Sequence, residues 1–316
     1  MIHTCSSIRD WRTCRRLYRY RHVDLVRAAV SGKALNVGRA VHRGLELFAT
    51  GSTLNQVNMA ISAEHGDIDV IEQARCRAML HAYHTVWSHT FSNWKTIEAE
   101  SEFRCALGRG ELAGKRDLVQ QHIPTRTTYL TEYKTSSEEI QDIASDYWRR
   151  LAIDVQITVY QWQTDADAAI LYDVLRKPKG GPKLKVMCTR RKGESDEELA
   201  KRKEDARETL QEFEDRMYQE LITEPAKWFV RREVHRTHEQ SKEIIDEMLE
   251  DVSDIENYFG LYPRNDTACR SKFGTCIYLG VCAGTETLED PKFMKMDQAH
   301  PELDARGEDD YADCPL

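Results

Sequence analysis

Apolar positions in the first hundred residues recur at helical steps. In NVGRAVHRGLELFATG, Val37, Val41, Leu45 and Phe48 fall three or four apart, and Gly51 stands where that helix would end. A further helix is predicted from Asp69 to about Phe91. Near the N-terminus, CSSIRDWRTCRRLYRYRHV opens on serines suited to capping and then repeats aromatics among arginines. The period then changes. IEAESEFRCAL, ELAGKRDLVQQ and TTYLTEYKT are short, β-rich and divided by Gly or Pro, which predicts three consecutive strands in a meander. A long helix is expected from about Ser136 to Gln163, then strand character in DAAILYDVLRK and KLKVMCTR. The order helix–strand–strand–strand–helix–strand specifies an α/β fold built on a mixed central sheet flanked by helices.

Five segments follow from this pattern. Residues 1–95 form an N-terminal helical part, and 96–192 an αβββαβ-type core. Residues 193–225 form a charged helical insertion. A C-terminal strand (KWFVRREV), a helix (HEQSKEIIDEMLEDVSDIENYF) and a cysteine loop occupy 226–285 and close onto the N-terminus; 286–316 is expected to be a disordered acidic tail.

Composition narrows the class. With 316 residues, 41% hydrophobic and 31% charged, the chain can bury a sizeable core, which excludes disorder throughout. No apolar run approaches the roughly 20 residues that span a bilayer. The opening residues lack the apolar stretch of a secretory signal, so a cytoplasmic location is expected, in the cell of origin or in a host cell. Nine cysteines there point to free thiols or metal ligands rather than a disulfide framework. The net charge of −8 argues against a uniformly basic nucleic-acid binder, yet the charge is segregated. Arg9 to Arg43 holds ten Lys/Arg against two acids, and Glu286 onward holds ten acids against three bases.

The informative stretch is GKRDLVQQHIPTRTTYLTEYKTS. In a hairpin centred between Pro124 and Thr125, Asp117 and Glu132 are equidistant from the turn. Opposed residues in an antiparallel pair share a face with Cβ atoms about 5 Å apart. Lys134, two positions beyond Glu132, faces the same way. Two carboxylates that close repel each other, and a hard divalent cation, Mg²⁺ or Mn²⁺, relieves the conflict. Phosphodiester hydrolysis uses such an ion, with a lysine to orient water or neutralise transition-state charge. Glu-x-Lys alone is common on solvated strands. A second such tripeptide, Asp290-Pro-Lys292, sits beside a proline in the acidic tail and is set aside. In the following helix Gln156 and Tyr160 lie one turn apart, and His42 lies in a Gly-x-x-x-His helix.

In this order, His42, Asp117, Glu132 with Lys134, and Gln156 with Tyr160 resemble the motifs of RecB-like nucleases of the PD-(D/E)XK superfamily. The resemblance runs from about Cys14 to Cys282. It implies a restriction-endonuclease-like core in which His42, Asp117 and Glu132 bind the catalytic metal, Lys134 assists the water, and Gln156 and Tyr160 help engage DNA. The chain departs slightly: Lys115-Arg116 stand where the family often has an aliphatic residue before the aspartate. The resemblance further implies a metal-dependent nuclease, an exonuclease on single-stranded ends, acting in DNA recombination, repair or processing. It leaves room for a helicase or recombination-protein partner and for a phage origin. A non-catalytic scaffold subunit with a structural metal site is the competing reading.

Cys269, Cys276 and Cys282 lie within fourteen residues, a spacing suited to a thiolate-bound metal. Subgroups of the resembled family place one N-terminal and three C-terminal cysteines around a 4Fe–4S cluster, which would make Cys14 the fourth ligand and the cluster a staple. Zn²⁺ fits the same donors, and Cys5 competes with Cys14. Arg12, Arg15, Arg16 and Arg19, interleaved with aromatics, are expected to line a DNA path.

Overall fold

A computed structural model of the chain describes residues 1–30, 33–66, 68–151, 153–163, 169–271, 274–300 and Leu303. Strand β1 (Ile2–His3) leads into α1 (Cys5–Thr13), which starts at a reciprocal Thr4/Ser7 capping box. The backbone leaves the helix at Cys14 and resumes as α2 (Arg15–Tyr18), a π-helical turn and β2 (Val26–Ala28). Then come α3 (Lys33–Ala49), α4 (Leu54–Glu64) and α5 (Val70–Phe91). Gly51 takes φ 93° just past α3, and Asp69 caps α5 through Ile71 N, as the pattern predicts. Helix α4 was not foreseen; it begins at a Thr53/Gln56 capping box.

The meander forms as read: β3 (Trp94–Leu107), β4 (Gly110–His122) and β5 (Thr127–Ser136). The single helix expected over 136–163 does not. A loop is followed by α6 (Asp146–Leu151) and α7 (Val155–Gln163). Side chains of Ser136, Glu139 and Asp142 each accept from the amide two residues on, closing turns that compete with helix. Strand β6 (Ala169–Arg176) follows. KLKVMCTR forms no strand; its only ladder contact among the described residues is a bridge between Leu184 and Arg207.

The insertion is two helices, α8 (Asp196–Asp205) and α9 (Leu210–Thr223). α9 buries Phe213, Met217 and Leu221 against α5, so it belongs to the core layer. The chain continues through α10 (Pro225–Trp228), β7 (Phe229–Val234) and α11 (His238–Glu256). It then forms a small hairpin, β8 (Arg270–Ser271) with β9 (Gly274–Thr275), helix α12 (Leu279–Ala283) and β10 (Phe293–Lys295). The last of these corrects the disordered-tail expectation. β10 pairs antiparallel with β2, and Phe293 stacks on Tyr278 at 5.4 Å. Residues 301–302 and 304–316 of the tail lie outside the described residues.

One mixed six-stranded sheet organises the molecule in the order β1-β4-β5-β6-β7, with β3 on the other side of β4. β5 and β6 are parallel, as are β1 and β4; the remaining pairs are antiparallel. Alternate residues feed two cores. Leu118, Tyr133 and Leu175 pack under α3, α4, α5 and α9, whereas Val119, Leu130, Tyr172 and Val174 pack under α1, α6, α7 and α11. The result is a three-layer α/β/α arrangement.

Candidate active site

On one side of β4 the ladder passes from β5, paired at residues 118–122, to β1, paired at 111–112. Residues 113–117 between them have no strand partner on that side among the described residues, so the sheet opens into a notch. The last β4–β5 pair is Leu118 with Thr131, and the next step of that register sets Asp117 opposite Glu132. This is the expected hairpin alignment, met where the strands begin to part.

Side chains replace the missing ladder bonds. Tyr133 N donates to Asp117 Oδ2 at 2.8 Å, and Tyr160 Oη donates to Lys115 O at 2.7 Å. Gly114 lets the tyrosine approach: a Cβ there would lie 3.1 Å from the Tyr160 ring and 2.6 Å from Phe103. Lys134 Nζ donates to Glu132 Oε1 at 2.5 Å and to Gln156 Oε1 at 3.1 Å, and Gln156 Nε2 donates to Tyr160 Oη at 3.0 Å. His42, on α3, holds Nδ1 3.6 Å from Asp117 Oδ2. All six of His42, Asp117, Glu132, Lys134, Gln156 and Tyr160 thus share one connected site.

Its electrostatics are those of a place short of positive charge. Burial, offset in part by Lys134 and the Tyr133 amide, pushes Asp117 up to about 6. Burial and the Asp117 charge push Glu132 up to about 7. Burial alone would lower Lys134, but the Glu132 and Asp117 charges outweigh it and keep the ammonium protonated. Burial and Lys134 lower His42, leaving a neutral imidazole able to ligate. Glu132 Oε2 is buried and has no hydrogen-bond partner among the described residues. A divalent cation fits this donor set: two crowded carboxylates, one orphaned oxygen and a neutral imidazole. Among the described residues no three His, Cys, Asp or Glu are already closed around a common point.

Protons and a divalent ion compete for the same oxygens. Mn²⁺ affinity is therefore expected to rise steeply from about pH 5.5 to about pH 7.5. Metal-free stability moves the other way. Both carboxyls hold their protons more tightly folded than unfolded, so stability falls as pH rises from about 4 through 7. Thermal melts with and without Mn²⁺ at both ends of that range test this, with Asp117→Asn as reference. A wild-type Mn²⁺ gain that is equal at pH 5 and pH 8 would contradict the arrangement.

Several residues of the site were not anticipated. Glu100 on β3 has φ 50°, a left-handed conformation unusual for glutamate. Its neighbours Ala99 and Ser101 pair with Leu118 and Arg116, which sets it opposite Asp117, whose pKa its charge raises. Glu100 also pairs with Lys115 at 3.0 Å. Asp154 caps α7 through Gln156 N at 2.9 Å. A cleft of about 350 Å³ beside Gln156 is lined by Cys5, Arg9, Arg12, Arg150 and Asp154. The acid-rich strand pattern around Glu100 was visible in the sequence; its backbone conformation was not.

The arginines of the N-terminal helices have other work. Arg12 pairs with Asp251 and Glu247, and Arg15 with Asp254 while lying over Trp11. Arg16 donates to Tyr262 O at 2.8 Å, and Arg19 pairs with Asp24 at 3.2 Å. These four guanidiniums tie the N-terminal segment to α11, the loop after it and their own turn. Of the four, Arg12 also lines the cleft beside Gln156.

Cys14, Cys269, Cys276 and Cys282 line one mostly apolar cavity of about 30 Å³. Asn265 Nδ2 donates to Thr13 O at 2.8 Å, and Arg16 N to Pro263 O at 3.2 Å, joining the two distant segments there. Burial and the neighbouring thiols raise the pKa of Cys269 and Cys276. Cys5 lies instead beside the catalytic cleft, its thiol pushed up to about 12 by burial. It is removed as a competing ligand.

No helix among the described residues is long and apolar enough to cross a membrane. No curated protein matches the chain significantly. The family model of the PD-(D/E)XK nuclease superfamily matches residues 3–283, a span that takes in the notch and both cysteine-bearing segments. Nuclease activity in that superfamily generally depends on a divalent metal such as Mg²⁺ or Mn²⁺. With the mixed sheet, the paired acids and the adjoining lysine in place, the chain belongs to the PD-(D/E)XK nuclease superfamily.

Proposed function

We propose that this chain is a divalent-metal-dependent deoxyribonuclease acting on single-stranded DNA or free ends. The observation that carries this reading is the placement of Asp117 and Glu132 across an opened ladder with Lys134 bonded to Glu132. Asp117, Glu132 and His42 would hold the cation. When bound, it supplies Lewis-acid polarisation of the phosphoryl group and acidifies water. Lys134 stays an ammonium, so its role is to neutralise charge growing on the phosphoryl oxygens rather than to take a proton. Gln156 fixes the lysine and is itself fixed by Tyr160, which limits the ammonium to one orientation. The preference for single strands rests on the RecB-like motif set. The test is release of nucleotides from 5′- and 3′-labelled strands with Mn²⁺ or Mg²⁺; no hydrolysis of any DNA form would end the reading.

A metal centre at the four cysteines is favoured by their meeting at one apolar cavity although 255 residues separate Cys14 from Cys269. Thiolates at such a site suit an iron–sulfur cluster or zinc. Protein purified without oxygen is expected to carry iron with a broad absorbance near roughly 400 nm, as clusters of that class do. Colourless protein containing zinc would assign the site to zinc instead, and metal-free protein would remove it.

A further inference from the structure

Beyond β6 the chain carries a charge pattern that the notch does not use. From Arg176 to Lys192 there are eight Lys/Arg and no Asp or Glu, in a chain whose net charge is −8. A merely solubilising surface mixes both signs. This segment leaves the sheet beside the site: Lys177 N donates to Ser136 O at 2.6 Å, two residues past Lys134, and the Lys177 charge reaches His42.

The segment is held by its backbone. Three successive carbonyls, of Gly180, Gly181 and Pro182, accept from the guanidiniums of Arg75, Arg216 and Arg207. Lys183 N and Glu208 Oε2 add a further tie at 2.8 Å. Acids close to the segment are committed: Glu194 to Arg202, Asp196 to Arg190, Glu208 to Arg216 and Glu212 to Lys185. Lys179, Lys183, Arg191 and Lys192 are exposed; Lys183 and Arg191 act on Glu208 and Glu194, but both acids have an arginine as their main partner. Anchored carbonyls and outward cations are what a polyanion-binding loop requires, because the anchoring lowers the ordering cost of binding.

We propose that residues 177–192 form an arm that grips the phosphate backbone of the nucleic-acid strand next to the scissile nucleotide, without reading sequence. The proposal rests on the nuclease reading for its ligand, but it concerns a different surface. A nucleic acid is favoured over other polyanions because the arm begins at the catalytic notch.

The test replaces Lys179, Lys183, Arg191 and Lys192 together by Ser in the full chain. Binding of a fluorescent 30-nucleotide single strand is followed against salt in EDTA, where hydrolysis does not interfere. Each lost phosphate contact lowers the salt slope by about 0.7, so the variant is expected to lose about 2 to 3 units of slope and at least about tenfold in affinity. Cleavage of a strand too short to reach the arm is expected to be unchanged. Equal slope and affinity in both proteins would overturn the proposal, as would loss of binding only to anionic vesicles. Should the wild type bind through the arm yet hydrolyse nothing, the nuclease reading fails and the arm stands.

Discussion

Asp117→Asn and Lys134→Ala are each expected to lower single-turnover DNA hydrolysis by at least about 10²–10³-fold, the scale on which one preorganised transition-state group contributes. The two should fail for different reasons. Asparagine still accepts from Tyr133 N, so the strand junction survives, but the site loses one of its two crowded charges. Calorimetric titration with Ca²⁺ should then show weakened binding. Removing the Lys134 ammonium leaves both carboxylates, so divalent binding should persist, and tighten if anything, while turnover is lost. That split separates a ligand from a charge-neutralising cation. Either variant hydrolysing DNA within a few-fold of wild type, at saturating metal, would sink the assignment of these residues.

Much of this site was legible because it depends on strand registry. The turn at 123–126 and the alternation on either side are enough to oppose residues 117 and 132, and the pairs from Leu118–Thr131 to His122–Thr127 run in that register. The glycine at 114, three positions before the aspartate, is required by the Phe103 and Tyr160 rings that a Cβ would meet. The helix reading of 136–163 failed because Ser136, Glu139 and Asp142 bond locally, and hydrophobic period does not register such turns. KLKVMCTR alternates like a strand, but the place beside β6 is taken by β7. The partners of Arg12 and Arg15, namely Glu247, Asp251 and Asp254, come more than two hundred residues later. Charge read along a chain is blind to such pairings. Glu100 was hidden for another reason: the tight turn between Leu107 and Gly110 sets it opposite Asp117, but its left-handed backbone has no signature in the hydrophobic pattern.

Arg231→Ala is expected to cost about 3–5 kcal/mol, the range for stranding one member of a buried ion pair. Asp173 on β6 is 1% exposed, and its Oδ2 accepts from Arg231 Nε at 2.7 Å and from Tyr83 Oη at 2.6 Å. Arg231 also donates to Tyr83 Oη at 2.6 Å and lies 4.2 Å over the Trp87 ring. Asp173 Oδ1 has no partner among the described residues, so the guanidinium is the main compensation for this buried carboxylate. Alanine removes that compensation and the cation–π contact together. Urea unfolding should show the loss in the midpoint, with Arg231→Leu/Asp173→Asn regaining part of it because the second change removes the stranded charge. A single-variant loss below about 1 kcal/mol would contradict this role for the Arg231–Asp173 pair. The effect should reach the catalytic notch as well. Asp173 is registered against Tyr133, whose amide holds Asp117 and whose ring meets His42 edge-on at 6.3 Å. The buried triad therefore backs the strand that presents Glu132 and Lys134, and loosening it should weaken divalent binding before the fold is lost.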